Sequence, residues 1–268
     1  MQLRKNRIRM GKINHIFISH LHGDHIFGLY GLLSSFNLMG RKNPLALYAP
    51  SGYDRVLLSH LADFDIHLAF DLRFIPLEGS SPVKILDEKY VTVTAFPLQH
   101  RVPTYGFLFR EKPAERKMVR EAIEKYRIPV ADIRFIKSGA DYITPEGEVI
   151  SNSLLTSPPP KPLSYAYCSD TEWFGLLAHY VKDVDLLYHE ATFDSAKKSL
   201  AKQTGHSTAD QAAAIALEAG AGTLVIGHFS SRYKDPEILT TEARNIFPQT
   251  IAAKEGMVID VASCRKTW

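Results

Sequence analysis

Cysteine is nearly absent from this chain: Cys168 and Cys264 are the only two in 268 residues. Two thiols do not make a disulfide scaffold, so a reducing cytoplasm is the expected compartment. Long apolar runs are absent as well, and none reaches the length needed to span a bilayer, so no membrane is expected among the partners. The N-terminus is basic but lacks the apolar core and cleavage site of a secretory signal. Acidic residues are missing from positions 1–12, which hold Arg4, Lys5, Arg7, Arg9 and Lys12. No internal repeat is visible.

What remains is the composition of a folded α/β protein. Hydrophobic residues make up 45% of the chain, enough for a full core, and the length suits one large domain or two small ones. The net charge of +3 hides an uneven distribution. Without the five cations of the first segment, 27 basic residues face 29 acidic ones. Residues 110–137 hold nine basic and five acidic residues. Two positive segments suit a phosphate-binding surface, although solvated helices carry such runs equally often.

Strand patterns are read at 13–19, 45–49, 68–77, 83–98 and 105–109, with helices at 25–38 and 52–61 between them. Residues 111–160 differ in texture, being charged and then rich in Pro and Ser. Val119, Ala122, Ile123 and Tyr126 follow helical spacing there. This stretch reads as an inserted arm with one amphipathic helix, whose apolar face packs on a partner subunit or a neighbouring lobe. Regular texture resumes with strands at 164–168, 185–188, 223–226, near 251 and at 257–261. Helices are expected at 172–180, 208–219 and 236–246, the second capped by Ser207-Thr208. Alternation of strands and helices, with adjacent strands among them, favours a four-layer αββα sandwich over a purely parallel sheet.

The densest chemistry is His20-Leu21-His22-Gly23-Asp24-His25, just after the apolar run Ile16-Phe17-Ile18. Side chains two apart on a strand share a face, so His20 and His22 can reach one metal ion together. Gly23 ends the strand, and Asp24 with His25 can reach a second ion. The plain alternative makes Asp24 a helix cap and the histidines surface groups. Further candidates lie where strands end: His100 after Leu98, Asp170 after Ser169, His228 after Gly227. Strand ends gather distant residues at one rim. A carboxylate such as Asp170 can bridge two cations, whereas a neutral imidazole cannot. Glu190 and His206 form a further pair, able to orient a general acid.

These residues resemble a known family. The His-x-His-x-Asp-His motif with a later His, Asp and His is similar to the metallo-β-lactamase superfamily. Pro97-Leu98-Gln99-His100, Ser169-Asp170-Thr171, His189-Glu190-Ala191-Thr192-Phe193, Gly205-His206-Ser207-Thr208 and His228-Phe229-Ser230-Ser231-Arg232-Tyr233 narrow the resemblance to tRNase Z (ribonuclease Z), over nearly the whole chain. The resemblance implies a single metallo-β-lactamase-like domain over 1–268 with a tRNA-binding arm at 111–160. It implies two zinc ions per subunit, one held by His20, His22, His100 and Asp170, the other by Asp24, His25, Asp170 and His228. Imidazole and oxygen donors also suit manganese and iron. Asp24 would act on the attacking water, His206 oriented by Glu190 would protonate the departing ribose oxygen, and Ser230 and Arg232 would bind phosphate.

The implied reaction is endonucleolytic removal of the 3′ trailer from precursor tRNA by a cytoplasmic homodimer. Two departures from the family pattern stand out. The usual opening strands with their Asp-Cys-Gly-Glu-Gly-Thr loop are expected to be missing, which leaves a sheet edge unpaired. Ile128-Pro129-Val130-Ala131 stands near the arm tip where a Gly-Pro pair is common. The same metal site also serves phosphodiesterases and arylsulfatases of small esters, and an inactive RNA-binding relative is the non-enzymatic reading.

Overall fold

The computed structural model describes residues 2–265. They form two compact units. The larger takes in the chain as far as Asp87, Val93–Phe109, and the chain from Ser164 onward. The smaller takes in Glu88–Thr92 and Arg110–Leu163.

The larger unit is a four-layer sandwich, and Leu45–Pro50 shows why it forms. Successive strand side chains face opposite ways. Leu45, Leu47 and Ala49 join a core with Ile26, Leu29, Leu33 and Phe36 of the helix Gly23–Leu38 and with Tyr53, Leu57 and Leu61 of the helix Tyr53–Asp63. Ala46 and Tyr48 face the other way, into a second core with Val93, Ala95, Tyr105 and Phe107. That core lies between the two sheets, with the Phe17 ring stacked on Tyr48 at 4.6 Å. On the far side, Phe96, Leu98, Leu108, Ala166, Leu187, Leu224 and Ile226 meet the alanine-rich helix Ala209–Ala219 together with Leu177, Leu239 and Phe247. The alanines let that helix lie close to the sheet.

Three strands make the first sheet, in the order His15–Phe17, Leu45–Pro50, Leu72–Leu77, all parallel. Seven make the second, ordered Thr250–Ala252, Thr223–Gly227, Leu186–Glu190, Ser164–Cys168, Thr104–Glu111, Val91–Leu98, Val83–Asp87. Its first four strands are parallel, with Tyr165 beside Leu186, Leu187 beside Leu224, and Val225 beside Ile251. Parallel strands finish at a common rim, which is where ligands bind in such sheets.

Two expectations need correction here. Residues 172–175 are not helical; the helix is Leu176–Tyr180. The Glu172 N–H instead donates to the Gln99 carbonyl at 2.8 Å, which holds the segment as a loop. Residues 257–261 form no strand. Asp260 accepts from the Ala262 N–H and starts the 3-10 turn Val261–Cys264, while Ile259 and Val261 pack on Leu186, Val225 and Cys264. No helix among the described residues is long and apolar enough to cross a membrane.

The smaller unit has its own core of Ala122, Ile128, Ile136, Tyr142, Ile150 and Leu155. Lys117–Met118 pairs antiparallel with Thr156–Ser157, and Tyr142–Ile143 pairs with Val149–Ile150. The single expected helix is several: Arg120–Lys125, Val130–Lys137 and the turn Asn152–Leu155. Arg127, at φ 47°, and Pro129 break the first from the second. Val119, Ala122, Ile123 and Tyr126 pack into this unit's own core. Asn152 ties it together by donating from Nδ2 to the Ile136 and Ala140 carbonyls.

Candidate metal centre

The rim of the larger unit collects the chemistry. His20 and His22 follow His15–Phe17, and His22 is the N-cap residue of the helix Gly23–Leu38. Asp24 and His25 lie in that helix's first turn, so Asp24 is not the cap. His100, Asp170 and His228 each follow a strand, and His228 turns inward through a left-handed backbone at φ 60°. A non-glycine residue in that region costs energy and is held by its surroundings.

Ligand-capable atoms of His20, His22, His100 and Asp170 all lie within 4.8 Å of one another. So do those of Asp24, His25 and His228. Asp170 links the two groups. Its Oδ2 is 3.6 Å from His20 Nε2, while its Oδ1 is 3.6 Å from His25 Nε2 and 3.5 Å from His228 Nε2. In the first group, His22 Nδ1 is 3.1 Å from His20 Nε2 and 3.4 Å from His100 Nε2. Four ligands at about 2.0–2.1 Å around a tetrahedral ion stand about 3.3 Å apart. The donor set and its spacing therefore fit a divalent metal.

Neighbours fix which nitrogen of each ring is free. His100 Nδ1 donates to the Gly205 carbonyl at 2.7 Å, leaving Nε2 with its lone pair. His228 Nδ1 donates to Thr192 Oγ1 at 2.9 Å, and that hydroxyl donates to Glu190 Oε2 at 2.7 Å. His206 Nδ1 donates to Glu190 Oε1 at 2.8 Å. Burial lowers the His20 pKa to about 3, so its ring is neutral and ready to ligate. Burial lowers that of His100 too. A hydrogen bond to Asp170 raises that of His25. Burial alone would raise the Asp170 pKa, but the His25 hydrogen bond and the charges of His228, His25 and His20 hold it well below the usual carboxylate range. Asp24 is the open member of the set, its side chain 73% exposed.

Glu190 is fully buried and accepts five hydrogen bonds. Besides His206 and the Thr192 hydroxyl, these come from the backbone N–H groups of Thr171, Thr192 and Ser207 at 3.2, 2.9 and 3.1 Å. A buried carboxylate needs such compensation. For His206, burial pulls the pKa down, but the Glu190 hydrogen bond and charge outweigh it and the net shift is upward. His206 also lies within ligand reach of Asp170 and His228. Ser230 and Arg232 lie just past His228, Arg232 Nη1 donating to Ser230 Oγ at 3.1 Å beside the Phe193 ring.

Sequence reasoning quoted the holders of this site within its motifs but gave them no role in it. Thr171, Thr192 and Ser207 bind through backbone N–H groups and hydroxyls, which no spacing rule marks. The same holds for buried His189, whose Nδ1 is 2.6 Å from the Glu190 carbonyl.

A Beta-lactamase superfamily domain matches residues 1–124. The human short-form tRNase Z structure superposes with a TM-score of 0.66 at 26% identity, covering 97% of this chain and 83% of that one. The Bacillus subtilis metallo-beta-lactamase fold protein YhfI superposes at 0.61 with 18% identity, covering 93% and 78%, a likeness of fold alone. Fold and rim together define the metallo-β-lactamase class. Ribonuclease Z of Bacteroides fragilis YCH46 is 48% identical over 261 residues, covering 97% of this chain and 86% of that protein. Ribonuclease Z of Porphyromonas gingivalis W83 is 45% identical over 260 residues, with the same coverage. The chain belongs to the ribonuclease Z family.

Proposed function

We propose that this rim is the active site with which the chain removes the 3′ trailer from precursor tRNA, leaving a 3′-hydroxyl on the tRNA and a 5′-phosphate on the trailer. By family the chain is a hydrolase, an endoribonuclease acting on tRNA. The observation that carries the assignment of the site is Asp170, with one oxygen toward each group of imidazoles. Two zinc ions per subunit are the proposed occupants, one on His20, His22, His100 and Asp170, the other on Asp24, His25, His228 and Asp170. Their chemistry is Lewis acidity, which lowers the pKa of the attacking water and offsets charge on the phosphoryl oxygens.

The remaining steps belong to the chain's own side chains. Asp24 accepts a hydrogen bond from the attacking water and orients it. His206, held by Glu190 through Nδ1, gives the departing ribose 3′-oxygen its proton from Nε2. Ser230 and Arg232 bind the phosphate, Arg through its planar fork. The unit of Arg110–Leu163 binds tRNA through its cations. The active form is a cytoplasmic homodimer. Support for self-association comes from Phe27, Leu58 and Phe64, large apolar side chains exposed by 61–71% on the two helices beside the first sheet and at the end of the second of them.

The test is cleavage of a 3′-extended precursor tRNA by protein stripped of metal and then given zinc. One cut yielding a 3′-hydroxyl is expected, with about two zinc ions bound per chain. Metal-replete protein that leaves the precursor intact would sink this reading.

A further inference from the structure

Beyond the metal groups, His206 also lines a cavity of about 490 Å³ that the chemistry above does not use. Its wall holds Gln99, Glu172, Trp173, Lys198 and Lys202. Ligand pockets begin at about 300 Å³, so the space suffices for one nucleotide. Trp173 is 46% exposed and makes no ring contact among the described residues. Lys198 and Lys202 stand four apart on the helix Lys198–Thr204 and so share a face. Neither pairs with a carboxylate among the described residues. A lone indole and two unpaired ammonium groups are the parts with which proteins hold single-stranded nucleic acid.

The loop carrying the indole is pinned. Glu172 N donates to the Gln99 carbonyl at 2.8 Å, Gln99 N donates to Thr171 Oγ1 at 3.1 Å, and that hydroxyl donates to the Glu172 carbonyl at 2.9 Å. Trp173 is thus tied to the segment that presents His100. The indole therefore extends from a pinned backbone, which limits the freedom lost when a base stacks on it.

We propose that this cavity is the subsite for the last nucleotide of the tRNA body, with Trp173 stacking its base and Lys198 and Lys202 holding its 5′ phosphate. The direction follows from proton transfer. His206 serves the oxygen that leaves, and that oxygen is the 3′-oxygen of the nucleotide on the tRNA side of the cut. His206 is a wall of both the metal rim and this cavity, so that nucleotide occupies the cavity while the trailer leaves on the metal side. Glu172 offers an acceptor to a base amino group. Stacking tolerates every base, because each has a π-face, and a tRNA-processing enzyme meets all four at this position.

The inference rests on the proposed cleavage reaction, and the test separates the two. Wild type and Trp173→Ala are compared on precursor tRNA with an intact or an abasic last tRNA nucleotide. The substitution is expected to lower kcat/KM about tenfold on the intact substrate and by less than twofold on the abasic one. An equal loss on both substrates makes Trp173 a structural residue and overturns the proposal. The second readout needs no catalysis. In a Trp268→Phe background, which removes the chain's other tryptophan, an RNA trinucleotide with a 3′-hydroxyl is expected to quench Trp173 fluorescence saturably. Unchanged fluorescence overturns the subsite even if precursor is cut. Quenching in a protein that cuts no precursor overturns the cleavage reading and keeps the subsite.

Discussion

Glu190 has no access to water, and five donors stand in for it. The same carboxylate fixes His206, so the two residues make different predictions. His206→Ala removes the proposed proton donor and is expected to slow precursor cleavage by about 10²–10⁴-fold. Both metals should stay bound, and metal analysis by mass spectrometry checks this. Loss of zinc in this variant would make His206 a ligand, the other role its distance to Asp170 and His228 permits. Glu190→Gln keeps most of the shape but removes the charge. His206 owes its raised pKa to the hydrogen bond with this carboxylate and to its charge, against the pull of burial. An acid donor works while protonated, so wild-type activity falls as pH rises through the raised pKa. Without the charge the fall should begin at lower pH. Profiles of kcat against pH for the two proteins check it, and superimposable alkaline limbs would exclude Glu190 as the cause. The candidate ligands were legible in the sequence because each sits in a short strand-end motif. Of the donors to Glu190, His206 was legible and the backbone ones were not, because a backbone N–H has no signature until the fold brings it near.

At the scale of elements, the end of one helix sets one ring. The helix Lys198–Thr204 closes on Gly205 in the left-handed region at φ 74°. Its carbonyl takes the His100 proton, and a Cβ on Gly205 would stand 2.8 Å from His100 Nδ1. Gly205→Ala therefore meets two penalties, strain at positive φ and a clash with the ring of a proposed metal ligand. The expected result is weaker binding of one zinc of the two, seen in chelator competition, with a loss of about 1–2 kcal/mol in stability from the backbone alone. Unchanged zinc affinity would mean that the ring moves aside freely. Element positions were legible wherever period and caps agreed, as in Ala209–Ala219 with its Thr208–Gln211 capping box. The reading failed at 257–261, where alternating apolar residues serve a loop that covers Leu186 and Val225. It failed also at 172–175, where a long-range hydrogen bond to Gln99 overrides helical spacing.

For the whole molecule, the cations at 110–137 and the proposed metal ligands lie in different units. The proposed metal ligands all belong to the larger one, and the excess of cations at 110–137 to the smaller. The four-layer arrangement was legible from the mixture of adjacent and helix-linked strands. The smaller unit's core was legible only in part: the spacing of Val119, Ala122, Ile123 and Tyr126 marked an apolar face, but nothing in it said what that face packs against. That core takes up the apolar face of Arg120–Lys125, and the unit's exposed cations face solvent, where a polyanion can reach them. Lys125, Arg127 and Arg134 are exposed there. Each phosphate they neutralise releases counterions and adds about 0.7–0.9 to the slope of log affinity against log salt. Replacing all three by Gln is expected to flatten that slope by about 2–3 for precursor tRNA, measured by filter binding between 50 and 200 mM salt. Zinc content should not change, because no proposed ligand lies in that unit. A slope identical to wild type would remove these three cations from the tRNA-binding surface.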